Sequence, residues 1–174
     1  MSSLNKQVEA LDKLQKLADE LLQKRDASQS ERDSCFRHFL QAEDYKSALS
    51  SVSSNLYSPI NINFVLGKLM LDKCKIHNSA KRPLRLVWEN MDFMKDHSPY
   101  KEIEIIYKYG DDLRQDMLTL QAISIMDNIW QTEGLDLRLS PYTCLATGKI
   151  SGLIEGDYGK RNGENPFLRS LIGD

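Results

Sequence analysis

The sequence predicts an α+β fold, in which a helical N-terminal segment precedes an antiparallel sheet that carries one long helix. Three observations predict it. Leu4, Val8, Leu11, Leu14, Leu17 and Leu21 recur at three- and four-residue spacing, with Lys, Asp, Glu and Gln between them. Residues 83–88 and 102–109 are rich in β-branched, aromatic and leucine side chains, as strands are. From residue 111 the apolar spacing returns to the helical period and holds to about Trp130, where Gly134 follows as a stop.

Taken in order, residues 4–25 read as the first helix. Residues 29–43 read as a second, with Ser30 as N-cap and Phe36, Phe39 and Leu40 as its buried stripe. Ser47 to Ser58 is serine-rich and reads as a loop, after which Pro59 opens an extended apolar segment from Ile60 to Leu71. The texture changes near residue 74, which sets a boundary between a helical segment and linker (1–72) and a sheet-bearing unit (73–155). Met91 to Tyr100 reads as a loop between the two strands. In the long helix, Asp111 or Asp112 can cap the start, and acidic residues in the first turn suit the helix dipole. Its expected apolar face is Leu113, Met117, Leu120, Ile123 or Ser124, Met126 and Ile129/Trp130. Leu135 to Leu145 and Leu153 to Glu155 read as two further strands. From Gly156 the chain holds three glycines and a proline within eleven residues and loses all periodicity, so residues 156–174 read as an irregular, disordered tail. Phe167 to Ile172 is a short apolar stretch within it.

Bulk properties exclude several classes. A formal net charge of −2 lacks the basic footprint of a nucleic-acid binder. Cys35, Cys74 and Cys144 are widely spaced, without a CxxC or Cys/His cluster, so no zinc site is expected and free thiols in a reducing compartment are. No signal core and no apolar run of about eighteen residues occurs, and a cytoplasmic location is expected.

The densest information lies in Tyr107-Lys108-Tyr109-Gly110-Asp111-Asp112-Leu113-Arg114-Gln115-Asp116-Met117. A lysine ends a β-branched run, a glycine turn with two aspartates follows, and a helix begins. Strand, lysine, turn, helix is the order by which a kinase N-lobe sets an ammonium against nucleotide phosphates. A second segment, Asn78-Ser79-Ala80-Lys81-Arg82-Pro83-Leu84, offers a hydroxyl, backbone amides and an ammonium to phosphate, although from its residues alone a solvated basic turn is the better reading. The run Gly110 to Leu118 closely resembles the catalytic domain of class I phosphatidylinositol 3-kinases. Residues 78–84 are similar to that family's phosphate-binding loop, and Gly152-Leu153-Ile154-Glu155 to its strand entering the hinge. The resemblance covers roughly residues 5–155 and is most specific over 73–155.

The resemblance implies an incomplete kinase-like N-lobe, truncated at the hinge, that holds part of an ATP site. Lys108 would contact the α-phosphate, and Ser79 and Lys81 would help clamp the nucleotide. Asp116 and Tyr142 would shape the inner pocket, although from the residues alone Tyr142 is equally a packed core tyrosine. Ile154 would pack on the base, whose hydrogen bond the Glu155 carbonyl would accept. Asp111 and Asp112 read better as simple helix caps. The chain departs from the family at Arg85, where a tryptophan usually walls the adenine side, at His77, where a methionine is common, at Thr143 in Pro141-Tyr142-Thr143-Cys144, and after Glu155. Neither an Asp-Arg-His nor an Asp-Phe-Gly sequence occurs, so no catalytic residue and no magnesium ligand is assigned; Mg is implied for the complete enzyme alone. The complete enzyme would transfer the ATP γ-phosphate to the 3-hydroxyl of a phosphoinositide at a membrane surface, with a regulatory subunit as a possible partner. The alternative is a non-catalytic form that binds regulatory partners or competes with the whole kinase. Marginal stability is expected, because a sheet without its facing lobe exposes apolar surface.

Overall fold

The computed structural model describes residues 3–24, 26–51, 55–93 and 100–156. The expected tail beyond Gly156, and parts of the loops expected at 47–58 and 91–100, lie outside the described residues. Helices α1 (Ser3–Gln23), α2 (Gln29–Gln41) and α3 (Glu43–Ala48) lead into strands β1 (Leu56–Tyr57), β2 (Val65–Leu69), β3 (Lys75–Ile76), β4 (Leu84–Asn90) and β5 (Glu102–Tyr109). Helix α4 (Arg114–Thr132) and strands β6 (Cys144–Ala146) and β7 (Ser151–Glu155) complete the chain. The architecture is therefore α+β, as the sequence predicts.

All strand pairs are antiparallel, in the order β1-β2-β4-β5-β7-β6, with β3 pairing β4 off that path. Strands β1 and β2 precede residue 73 yet share the sheet with β4. Alternation along the strands gives the sheet two faces. One face presents Leu84, Leu86 and Trp88 of β4 opposite Tyr107, Ile105 and Ile103 of β5. It packs with Leu14, Leu17 and Leu21 of α1 and Phe36 and Leu40 of α2 into the main core. Leu17 and Leu40 are fully buried, and burying a leucine is worth about 1.5–3 kcal/mol, so the α1 stripe holds this layer together. The Trp88 indole N–H donates to the Leu49 carbonyl at 2.5 Å, tying the sheet to the end of α3.

Several boundaries depart from expectation for identifiable reasons. The cap of α2 is Ser28, not Ser30. Its hydroxyl accepts the Glu31 N–H while the Glu31 carboxylate accepts the Ser28 N–H, a reciprocal capping box that sets the cap two residues earlier. The expected loop at 47–58 opens inside α3, which runs to Ala48, and takes in the whole of β1. Strand β3 is two residues long and escapes a periodicity reading. Of the strand expected over 135–145, the chain forms Cys144–Ala146 alone, with Leu135, Leu137 and Leu139 exposed.

Helix α4 differs most. Neither Asp111 nor Asp112 caps it; the N-cap is Leu113, without a side-chain cap bond. The Asp112 carboxylate accepts the Arg114 N–H and pairs with its guanidinium at 2.6 Å, which holds its pKa down at about 2. The helix ends as expected at Gly134, whose positive φ of 76° lets its N–H reach Gln131 O and the Leu135 N–H reach Trp130 O. The expected apolar face is in part turned outward. Leu113, Met117 and Leu120 join Ile106, Cys144 and Ile154 in a second, smaller core, whereas Met126 and Ile129, with Leu118 and Ile125, face solvent. The one buried residue of α4 is Asp127, whose Oδ2 accepts from Gln131 at 2.6 Å.

Candidate functional site

The second face of the sheet carries the candidate site. Register places Arg85, Ile106, Ile154 and Cys144 in one row across β4, β5, β7 and β6, and Lys108, Gly152 and Ala146 in the adjacent row. Lys108 therefore sits on the same face as Ile154, one row away and one strand over. Gly152 is required there. A Cβ would lie 2.7 Å from both Leu113 Cδ1 and the Leu145 carbonyl oxygen, so its absence lets the start of α4 settle on the sheet beside Lys108.

Lys108 is 6% exposed, and its ammonium lies 2.8 Å from Asp111 Oδ2. Lys81 reaches the same carboxylate from a different loop, 3.7 Å from Asp111 Oδ1, and donates to the Gly110 carbonyl at 2.8 Å. Gly110 has φ 91°, and this left-handed turn brings Asp111 back over the end of β5. Two ammonium groups thus converge on one carboxylate at the entrance to α4.

The turn that carries Lys81 is tightly made. Ser79 N–H donates to His77 O and Arg82 N–H to Ser79 O, each at 3.0 Å. These two amides are thereby used inside the turn, which leaves the Lys81 ammonium as its outward cation. Arg82 adopts φ 48°, and its guanidinium donates to the Leu21 carbonyl at 2.9 Å, fixing the turn to the end of α1. His77 is half-buried beside Lys75 and Arg85. Burial first, then these cations, push its pKa down to about 4, and its Nε2 is a buried nitrogen without a partner.

Asp116 lies in the first turn of α4, within electrostatic reach of Tyr142 and Cys144. Tyr142 packs against the smaller core, and burial, then Cys144 and Asp116, push its hydroxyl pKa up to about 12. Burial and Asp116 push the Cys144 thiol up to about 11, with Lys108 opposing. Lys108, Asp116, Tyr142 and Ile154 are thus gathered around one end of the sheet. Ile154 is fully buried in the smaller core. Glu155 does something the sequence did not suggest: its carboxylate and its backbone N–H both bond Thr143, at 2.8 Å each, and fix the lead-in to β6.

Sequence reasoning missed three parts. Asp111 is the shared counterion of two lysines rather than a helix cap. Arg85, in place of the family's tryptophan, is ion-paired with Glu104 and donates to the Lys73 carbonyl at 3.0 Å. Glu104 in turn lies against Gly156, where a Cβ would meet its side chain at 2.2 Å. Leu113 covers Gly152, a contact signalled in the sequence by a glycine inside a strand. The residues here do not suit a magnesium ion, because Asp111 is engaged with two cations and Asp112 with Arg114. Among the described residues no three His, Cys, Asp or Glu side chains converge, and no helix is long and apolar enough to cross a membrane.

Comparison with known proteins bears on this arrangement. Residues 102–159, which hold Lys108, Asp111, Asp116, Tyr142 and Ile154, match the family described as "Phosphatidylinositol 3- and 4-kinase". The chain is 41% identical over 152 residues to "Phosphatidylinositol 3-kinase 1" of Dictyostelium discoideum, covering 87% of this chain and 9% of the relative. It is 41% identical over 117 residues to "Phosphatidylinositol 3-kinase age-1" of Caenorhabditis elegans, covering 67% of this chain and 10% of the relative. A third relative, "Phosphatidylinositol 3-kinase 2" of Dictyostelium discoideum, is 46% identical over 97 residues, covering 56% of this chain and 5% of the relative. The chain therefore spans a tenth or less of the length of these relatives.

Proposed function

We propose, from the premise that this chain resembles the phosphatidylinositol 3-kinases, that residues 73–155 form the N-lobe half of an ATP site. The observation that carries the reading is the convergence of Lys81 and Lys108 on Asp111 at the start of α4; Lys108 and Asp111 lie within the segment similar to that family, and Lys81 lies before it. Two ammonium groups less than 4 Å from one anion are suited to phosphate oxygens. In this reading Lys108 holds one phosphate and Lys81, with the Ser79 hydroxyl, covers the others. Ile154 would back the base from within the smaller core, and Asp116 and Tyr142 would bound the inner end. The Glu155 carbonyl would accept from the base. Residues 1–72 serve as support, with α1 to α3 packed on the sheet and β1 and β2 extending it beside β4.

ATP would supply the phosphoryl group. Its transfer to the 3-hydroxyl of a phosphoinositide at a membrane surface belongs to a complete kinase, together with magnesium, and none of the residues described here moves a proton in that step. A cytoplasmic setting with recruitment to membranes fits this reading. A second reading, a non-catalytic form that binds a regulatory or kinase partner, draws support from the exposed apolar ridge Leu118, Ile125 and Ile129 on α4.

The test is ATP binding by the full chain, by calorimetry, with Lys108→Ala beside it. Binding that falls at least tenfold in Lys108→Ala is expected. Equal binding by both forms, or none by the parent chain, overturns the reading.

A further inference from the structure

The carboxylate of Asp111 occupies the place where the two lysines meet. Its two oxygens are divided between them, Oδ2 at 2.8 Å from the Lys108 ammonium and Oδ1 at 3.7 Å from that of Lys81. Asp111 is 29% exposed at its side chain and Lys81 51%, whereas Lys108 is 7% exposed, so the anion and one cation can move while the other cation is fixed by its strand. The aspartate sits in a glycine turn before the first residue of α4, with no role as the helix cap. The three charged groups come from three places in the chain: Lys108 from the end of β5, Asp111 from the turn after it, and Lys81 from the 79–82 turn. A carboxylate held between two ammonium groups offers the same charge and the same oxygen acceptors as one edge of a phosphate.

We propose that Asp111 is an internal stand-in for phosphate, which holds Lys81 and Lys108 together until a polyphosphate arrives and displaces it. This rests on the reading of the site as phosphate-binding, and it adds a sign to it. If Asp111 served to position Lys108 for its ligand, as a lysine–acid pair does in many kinases, removing its charge would weaken binding. As a competitor, it lowers the affinity the two lysines would otherwise give. Lys81, Lys108 and Asp111 together carry a charge of plus one, and neutralising the carboxylate raises the contribution of these three groups by one unit. The turn that carries Asp111 is exposed on one side, so the carboxylate can swing into water while Gly110 keeps the backbone path.

The experiment compares the full chain with Asp111→Asn, using sodium tripolyphosphate and ATP as separate probes in calorimetry at several salt concentrations. Asp111→Asn is expected to bind tripolyphosphate about tenfold more tightly, the scale set by one unit charge a few ångströms away in a partly solvated site. The gain should shrink as salt is raised, and it should vanish in Asp111→Asn combined with Lys81→Ala and Lys108→Ala. Weaker or unchanged tripolyphosphate binding in Asp111→Asn overturns the proposal, as does a gain that survives loss of both lysines. Thermal melts of each variant guard against misfolding, and Asp111→Glu, which keeps the charge, should bind like the parent chain. The two probes separate the outcomes. A tighter grip on tripolyphosphate without ATP binding by the parent chain sinks the ATP reading and keeps Asp111 as a stand-in. Lys108-dependent ATP binding that Asp111→Asn weakens does the reverse.

Discussion

Gly152→Ala should destabilise the chain by about 1–2 kcal/mol, and the reasoning is steric throughout. Gly152 has no positive φ, so an alanine meets no backbone strain there. Its new Cβ would sit 2.7 Å from Leu113 Cδ1, 2.7 Å from the Leu145 carbonyl oxygen and 3.3 Å from Ala146 Cα. Leu113 can rotate, but it is 1% exposed and packed against Ile106, Cys144 and Ile154. The Leu145 carbonyl belongs to the paired strand β6 and moves only with that strand. Overpacking of this kind costs about 1–3 kcal/mol, and the reduced freedom of the unfolded alanine chain returns about 0.4–1 kcal/mol. Urea denaturation followed by far-ultraviolet dichroism measures the difference as a lower midpoint with unchanged slope. Gly148→Ala is the control: its Cβ meets only the Ser151 hydroxyl, at 2.9 Å, which can turn aside, and its loss should be smaller. Adding Leu113→Ala to Gly152→Ala relieves one of the two clashes and should give a total loss smaller than the sum of the two single losses. A Gly152→Ala midpoint at or above the parent value refutes the close approach of α4 to β7.

Other outcomes follow from the same geometry. Ser28→Ala should cost about 1 kcal/mol, read in the same denaturation assay, because it dismantles the capping box of α2. Alkylation at pH 8 followed by mass spectrometry should label Cys35 first, since Cys74 and Cys144 are buried with thiols pushed up to about 11. His77 has a folded pKa of about 4 against an ordinary 6.5, so the unfolded chain binds the extra proton between these values. Stability should therefore rise with pH across that window and fall as pH drops through it, and His77→Asn should flatten the dependence. A dye that fluoresces on apolar surfaces should bind the native chain, and Leu118→Gln with Ile125→Gln should reduce its signal.

The parts of this fold that were legible in the sequence are those fixed by short-range periodicity. The α1 stripe, β4, β5 and the glycine stop of α4 all declare themselves within a few residues. Ser28 was overlooked because the capping box needs its partner Glu31 to be read together with it. The outward turn of Met126 and Ile129 was illegible for a different reason: helical spacing reveals that apolar residues share a face, not whether anything covers that face. At the site, Lys108 and the turn after it stood out, and the neighbourhood of Asp116 and Tyr142 came from family resemblance. The meeting of Lys81 with Asp111 depends on how the 79–82 turn closes over β5, a tertiary relation between residues about thirty apart in sequence. Likewise the pairing of Arg85 with Glu104 is a cross-strand contact, visible only once the register of β4 against β5 is known.

Strand β5 lies between β4 and β7, with the main core on one face and the smaller core on the other. Its central amides can reach water only if both neighbouring strands and both cores part together. Opening of that kind approaches the full free energy of unfolding, so β5 should be among the slowest segments of the chain to exchange its amide hydrogens. Lys108 therefore hangs its buried ammonium from one of the least mobile stretches of backbone, while Lys81 and Asp111 sit on more exposed turns. A ligand arriving there would meet one fixed charge and two that adjust to it.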